Sequence, residues 1–213
     1  MKDGKFSPLE DVVTFIKQIS KNDFTVRQIA IFLIVYSSDG KYGGSLLATK
    51  LLVDPAVTSR ALARLEKLGL VYRRQNFDYD RIKPVMRTDR GRALMAPLFA
   101  VHQLSKPGDS SRASRLCQAF VAMSHLVDSS LTLRQAAIFI VCYLDGYTKW
   151  TIRRFAEELR ISRPSVTRAI DRLEQCGLLK RKPDPLDGRN VFIAKTSLGM
   201  SAFREIRGKS RYV

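Results

Sequence analysis

Six residues between Arg163 and Arg172 carry groups suited to reading a polyanion: Arg163, Pro164, Ser165, Thr167, Arg168 and Arg172. A guanidinium can bridge O6 and N7 of guanine, and a small hydroxyl reaches either a base edge or a phosphate oxygen. The bland alternative is a cationic helix face that simply meets water. A second set stands 108 residues earlier, as Val57, Ser59, Arg60 and Arg64, with Arg60 matching Arg168 and Arg64 matching Arg172. It is less cationic at its start, because Asp54 and Pro55 occupy the places of Ser162 and Arg163. The two segments are therefore expected to contact different bases, the second binding more tightly. Asp54 itself reads as a helix N-cap.

Two loop arginines form a second constellation. Arg81 and Arg189 hold the same repeat position, each shortly after carboxylates, Asp78 and Asp80 in one copy and Asp184 and Asp187 in the other. A carboxylate can fix a guanidinium's orientation, and a preset arginine at a loop tip suits the narrow, negative minor groove of A·T-rich DNA. The alternative is a surface ion pair worth less than about 1 kcal/mol. Arg73, Arg74, Lys180, Arg181 and Lys182 flank these loops. Phe77 and Tyr79 could wedge into a minor groove, but packing onto their own domain is favoured.

The 213 residues allow one large domain or two small ones, and 45% apolar residues supply a core. A formal charge of +17 and a pI near 10.2 point to a polyanionic partner, and the excess is shared as +7 over residues 1–105 and +10 over 106–213. Cys117, Cys142 and Cys176 form no CxxC pair, and His102 and His125 stand far apart, which excludes a zinc-finger framework and a His-based catalytic centre. Cys142 and Cys176 fall at apolar helical spacing and read as buried thiols. Trp150 reads as core rather than as a stacking platform for bases. No phosphate-cradling glycine loop or nucleophile constellation is present, so neither a cofactor nor an enzyme activity is expected. No apolar run of 18 residues and no signal-peptide core occur. A cytoplasmic, nucleoid-associated protein with no membrane partner is the expectation.

The elements that must position these residues come in two copies. Phe24-Thr-Val-Arg-Gln-Ile-Ala-Ile-Phe matches Leu131-Thr-Leu-Arg-Gln-Ala-Ala-Ile-Phe at an offset of 107, which becomes 108 and then holds from Arg60/Arg168 through Gly69/Gly177, Thr88/Thr196 and Gly91/Gly199. Ser105-Lys-Pro-Gly-Asp-Ser-Ser111 concentrates helix breakers and reads as the boundary. The expected division is 1–104 as a first domain, 105–111 as linker and 112–213 as a second domain. Leu9, Val12, Val13, Ile16 and Ile19, and likewise Leu116, Phe120, Met123 and Val127, predict an opening amphipathic helix in each. Thr25 and Thr132 are N-caps of a second helix, and short helices follow at about 45–52 and 152–159. Asp54-Pro55 and Ser162-Arg-Pro164 each start a further helix, with Ala61, Leu62 and Leu65 or Val166, Ala169, Ile170 and Leu173 buried, and with Gly69 or Gly177 closing it. Hairpins over 70–74 with 82–86 and over 178–181 with 191–194 precede a closing helix.

A short helix, a tight turn and a helix rich in small polar and basic residues make a helix-turn-helix, and the added hairpin makes it winged. The fold class is thus mainly α with small β-hairpins (α+β), as two tandem winged helix-turn-helix domains. The stretch from Phe155 to Leu179, with Asp184-Pro-Leu-Asp-Gly-Arg189 and Lys195-Thr-Ser-Leu-Gly199, resembles the winged-helix domain of the MarR family of bacterial transcription regulators. The first half is similar through Ser59-Arg60, Arg64-Leu-Glu-Lys-Leu-Gly69 and Asp80-Arg81. The resemblance implies a sequence-specific regulator of double-stranded DNA, with recognition helices in major grooves and wing arginines in minor grooves. Family members usually carry one such domain and dimerise through terminal helices. Two in one chain imply an intramolecular pseudo-dimer, or alternatively two chains presenting four domains. The family also often takes small phenolic or lipophilic effectors, about which the sequence says nothing. A plasmid or phage replication initiator and an architectural DNA-binding protein are the rival readings.

Overall fold

The computed structural model describes residues 8–19, 23–38, 40–74, 83–100, 111–127, 130–145, 149–184 and 191–209. The first unit runs α1 (Pro8–Ile19), α2 (Val26–Ser38), α3 (Gly44–Leu51), α4 (Pro55–Lys67), β1 (Val71–Arg73), β2 (Val85–Arg87) and α5 (Asp89–Ala100). The second repeats the order as α6 (Ser111–Leu126), α7 (Leu133–Leu144), α8 (Ile152–Leu159), α9 (Arg163–Gln175), β3 (Leu179–Pro183), β4 (Val191–Lys195) and α10 (Ser197–Lys209). Helices with two small antiparallel hairpins, β1 with β2 and β3 with β4, make up the α+β architecture expected from the repeat.

The units are joined by reciprocal contacts. Thr25 and Thr132, which share one repeat position, pair in antiparallel fashion. The Val26 amide donates to the Leu131 carbonyl at 2.8 Å, and the equivalent Leu133 amide donates to the Phe24 carbonyl at 2.9 Å. This exchange of like for like is the signature of a twofold relation. The same threonines cap the helices that follow. Thr25 and Thr132 accept from the amides of Gln28 and Gln135, whose side chains accept from the threonine amides in return, a capping box in each copy.

The opening helices reach across. α1 packs on α7 and α6, and α6 packs on α2 of the first unit as well as on its own α10. Val12, Val13, Ile16 and Ile19 on α1 and Leu116, Phe120 and Met123 on α6 are buried as their spacing predicts, and Phe15 meets Phe120 edge-on at 5.8 Å. α2 and α7 are buried on nearly every side, so they form the common centre of one continuous core.

A threonine latch repeats at the end of each unit. Thr88 Oγ1 donates to the Gly69 carbonyl at 2.6 Å and accepts from the Gly91 amide at 2.9 Å; Thr196 makes the same pair with Gly177 and Gly199 at the same distances. Gly69 and Gly177 adopt φ of 67° and 68°, the left-handed geometry of a helix stop. Gly199 is required for space, because a Cβ there would lie 2.0 Å from Tyr143 Oη and 2.3 Å from the Leu178 carbonyl oxygen. Tyr143 needs that approach, since its hydroxyl donates to Leu178 and accepts from the Thr196 amide.

One position breaks the parallel inside the core. Thr58 is fully buried with its hydroxyl lacking a partner, where the second unit has Val166. Burying an unsatisfied hydroxyl costs roughly 1–3 kcal/mol. Thr58→Val should therefore raise the unfolding free energy by about 1 kcal/mol, and Gly199→Ala should lower it by about 2–3 kcal/mol. Urea titration reads both as opposite shifts in the midpoint.

Candidate nucleic-acid interface

α4 and α9 are each held from three sides, the third being the first strand of the hairpin, β1 or β3. α3 packs on α4 and α8 on α9, while α2 and α7 back the longer helices. The buried faces are those expected: Ala61, Leu62 and Leu65 on α4, and Val166, Ala169, Ile170 and Leu173 on α9. Asp54 caps α4, its carboxylate accepting from the Ala56 amide at 2.7 Å. Ser162 stands at the N-cap of α9, but its hydroxyl bonds the Ser165 hydroxyl at 2.9 Å instead of a backbone amide. The turn residues Leu52 and Arg160 both take left-handed φ, 51° and 53°, without being glycine.

Opposite the core, α9 presents Arg163, Pro164 and Arg168 to solvent, with Ser165, Thr167 and Arg172 half-exposed. α4 presents Ser59, Arg60 and Arg64, with Val57 half-exposed. Among the described residues Arg60, Arg64, Arg160, Arg163 and Arg168 make no side-chain hydrogen bond or ion pair. Thr167 Oγ1 donates back to the Arg163 carbonyl at 3.1 Å, so its hydroxyl proton is engaged within the helix. Arg81, Arg189, Phe77 and Tyr79 lie outside the described residues. Asp184, proposed to steer Arg189, receives Lys149 Nζ at 3.3 Å.

Arg181, in the sequence one of the cations flanking the loop, has a structural role that its position alone does not reveal. It folds back and ties β3 to α9: one guanidinium nitrogen lies 2.6 Å from Asp171 Oδ1, another reaches Glu174, and its amide donates to Glu174 Oε1 at 2.8 Å. The repeat offset marks the arrangement, because Arg73 and Glu66 occupy the equivalent places and approach at 3.5 Å. Ala63 stands in place of Asp171, so that copy lacks the second carboxylate. The hairpins also gain a third partner that their short length hid. The Val85 amide donates to the Tyr42 carbonyl, and the Ile193 amide to the Trp150 carbonyl, so each wing is pinned to the stretch before α3 or α8. Trp150 is core, stacked on Phe155 with centroids 4.4 Å apart.

A cavity of about 1020 Å³ opens between α2, α3, β2 and α5 on one side and α6 and α10 on the other, lined among others by Tyr36, Tyr42, Lys50, Arg87, Cys117 and His125. Burial pushes the Cys117 thiol up to about 11, against the pull of Lys50, and the Cys142 thiol up to about 12. Both are protonated at neutral pH, which fits structural thiols. Cys176 is half-buried at the end of α9, less enclosed than its spacing suggested. No cluster of ligating side chains suited to a metal occurs among the described residues, and no described helix is long and apolar enough to cross a membrane.

The Glu174 carboxyl is held below the usual carboxylate range, first by the Arg181 amide and then by its guanidinium. A depressed folded value contributes stability at pH above the unfolded carboxylate's, about 4.3, and loses it as pH falls through the folded value. As pH falls through that folded value the Arg181 amide should lose protection relative to its intrinsic exchange rate while α7 amides keep theirs, and Glu174→Gln should give the same loss at pH 7. Amide hydrogen exchange checks both.

Two family models, both described as MarR family, match residues 24–82 and 129–190, one in each unit and together more than half the chain. Among solved structures the chain is similar to S. aureus MepR bound to ethidium bromide, at 18% identity and a TM-score of 0.40, covering 53% of this chain and 72% of that one. It is likewise similar to a mutant of Lactococcus lactis ZitR, at 20% identity and a TM-score of 0.35, covering 57% and 73%. An S. aureus MepR-DNA complex matches at 18% identity and a TM-score of 0.34, covering 55% and 78%. Among curated proteins nothing matches. With a winged-helix unit in each half and a family match on each, the chain belongs to the MarR family of DNA-binding transcription regulators, which are not enzymes.

Proposed function

We propose that the protein is a sequence-specific regulator in which one chain does the work of a dimer, with domains 1–104 and 112–213 joined through 105–111. Its helices α4 and α9 enter two major grooves, read by Val57, Ser59, Arg60 and Arg64 and by Arg163, Pro164, Ser165, Thr167, Arg168 and Arg172. The wing arginines Arg81 and Arg189 enter the flanking minor grooves. The observation that carries the reading is that Arg60, Arg64, Arg163 and Arg168 face solvent and, among the described residues, make no side-chain hydrogen bond or ion pair, on two helices set in equivalent surroundings about the Thr25–Thr132 pairing. An arginine left unpaired in a protein of net charge +17 is a poor stability device and a good phosphate or guanine ligand.

A twofold-related pair of helices calls for half-sites about one helical turn, ~10 bp, apart in an imperfect inverted repeat. The cavity beside Cys117, with tyrosines among lysine and arginine side chains, supports an anionic aromatic effector as the ligand class. Nothing in the reading requires a second chain, and the DNA-bound protein acts among the nucleoid, in the cytoplasm.

The test is binding to a duplex selected from a randomised pool. Arg168→Ala should weaken binding by about ten- to a hundredfold and relax preference at its base pair, and Arg60→Ala should cost less. Affinity should fall steeply between 50 and 200 mM salt. Equal affinity for selected and random duplex would overturn sequence-specific reading.

A further inference from the structure

The two recognition faces differ in kind at positions the repeat makes equivalent. Leu46 stands where the second unit has Arg154, Leu52 where it has Arg160, Pro55 where it has Arg163 and Val57 where it has Ser165. Further along the helices the units agree, Arg60 with Arg168 and Arg64 with Arg172. The apolar-for-cationic exchanges thus fall in α3, the turn and the first turn of α4. Here the first unit leaves apolar surface in water: Leu46 is 44% exposed and Leu52 79% exposed, the latter in a left-handed conformation that favours glycine. Leu46, Pro55, Ser59 and Leu62 share one open depression of about 490 Å³ at the starts of α3 and α4, with Arg73 and Lys83 also among its lining residues.

An apolar lining with cations beside it matches a duplex whose groove edge is apolar and whose backbone is anionic. In the major groove the apolar base group is the thymine C5-methyl, whereas guanine offers two acceptors suited to arginine. We infer, on the groove-reading function proposed above, that the two half-sites are chemically different. Pro55, Ala56, Val57 and Leu46 read thymine methyls at the base pairs facing the start of α4. Arg163 reads guanine at the equivalent base pairs facing the start of α9. The base pairs opposite Arg60 and Arg168 are the same in both halves. The chain consequently lies on its operator in one orientation, which an operator for two identical chains does not impose.

Selection from a randomised duplex pool with the full-length protein tests this. The expected product has two half-sites that agree at the arginine-facing positions and diverge at the helix-start positions, thymine-rich in one half. Replacing those thymines by uracil removes only the methyls and should weaken binding by about three- to fourfold per methyl contacted. The same replacement in the other half should have no effect. In the variant Pro55→Arg/Val57→Ser, shown by its melting curve to be folded, selection should move guanine into the first half and uracil should become harmless. Two identical half-sites from the unmodified protein would overturn the inference and leave groove reading intact. A single half-site would also overturn it, since the apolar face would then read no base. No enrichment at all would remove the underlying function as well.

Discussion

The pairing of Thr25 with Thr132 is the constraint on which the rest of the molecule depends. It sets two amide-to-carbonyl bonds between equivalent residues and, through the same threonines, caps the two most deeply buried helices. Because each capped helix is also covered by the opening helix of the other unit, neither half can rotate without breaking a backbone bond and an apolar seam together. α4 and α9 rest on these two helices, so their separation is a property of the core rather than of the segment that joins the units.

Within each unit a chain of small devices carries that rigidity outward. The threonine latch ties the end of the recognition helix to the start of the closing helix, and the close approach at Gly199 lets Tyr143 brace the joint from the centre. Arg181 then fastens the wing strand to the side of α9. The first unit has a looser version of this last device, with one carboxylate in place of two, so the two wings are held with unequal stiffness.

Much of this was legible because the sequence states it twice. Helix starts, glycine stops and buried faces follow from short-range chemistry, and Asp54, Gly69 and Leu173 behave as their spacing requires. The opening helices show the limit. Val13 and Phe120 announce an apolar face, but periodicity cannot say whose apolar face it meets, and the answer is partly the other unit's. Arg181 shows another limit, since a cation in a basic stretch looks like a ligand for DNA until Asp171 and Glu174 are seen beside it. The helical phase that places Cys176 on the buried face runs out at the cap where it sits. Thr58 could have been noticed, because aligning it with Val166 exposes a hydroxyl in a place that needs none.

The reciprocal pairing lies within one polypeptide, and this changes what scarcity means for the protein. Two separate chains held by the same surfaces would part when few copies are present, each alone exposing the apolar faces of its opening helix. Tethered halves meet at an effective concentration in the millimolar range whatever the number of molecules in the cell. A single molecule therefore keeps both recognition helices at fixed spacing, and the threshold at which it begins to occupy a site is set by the site alone.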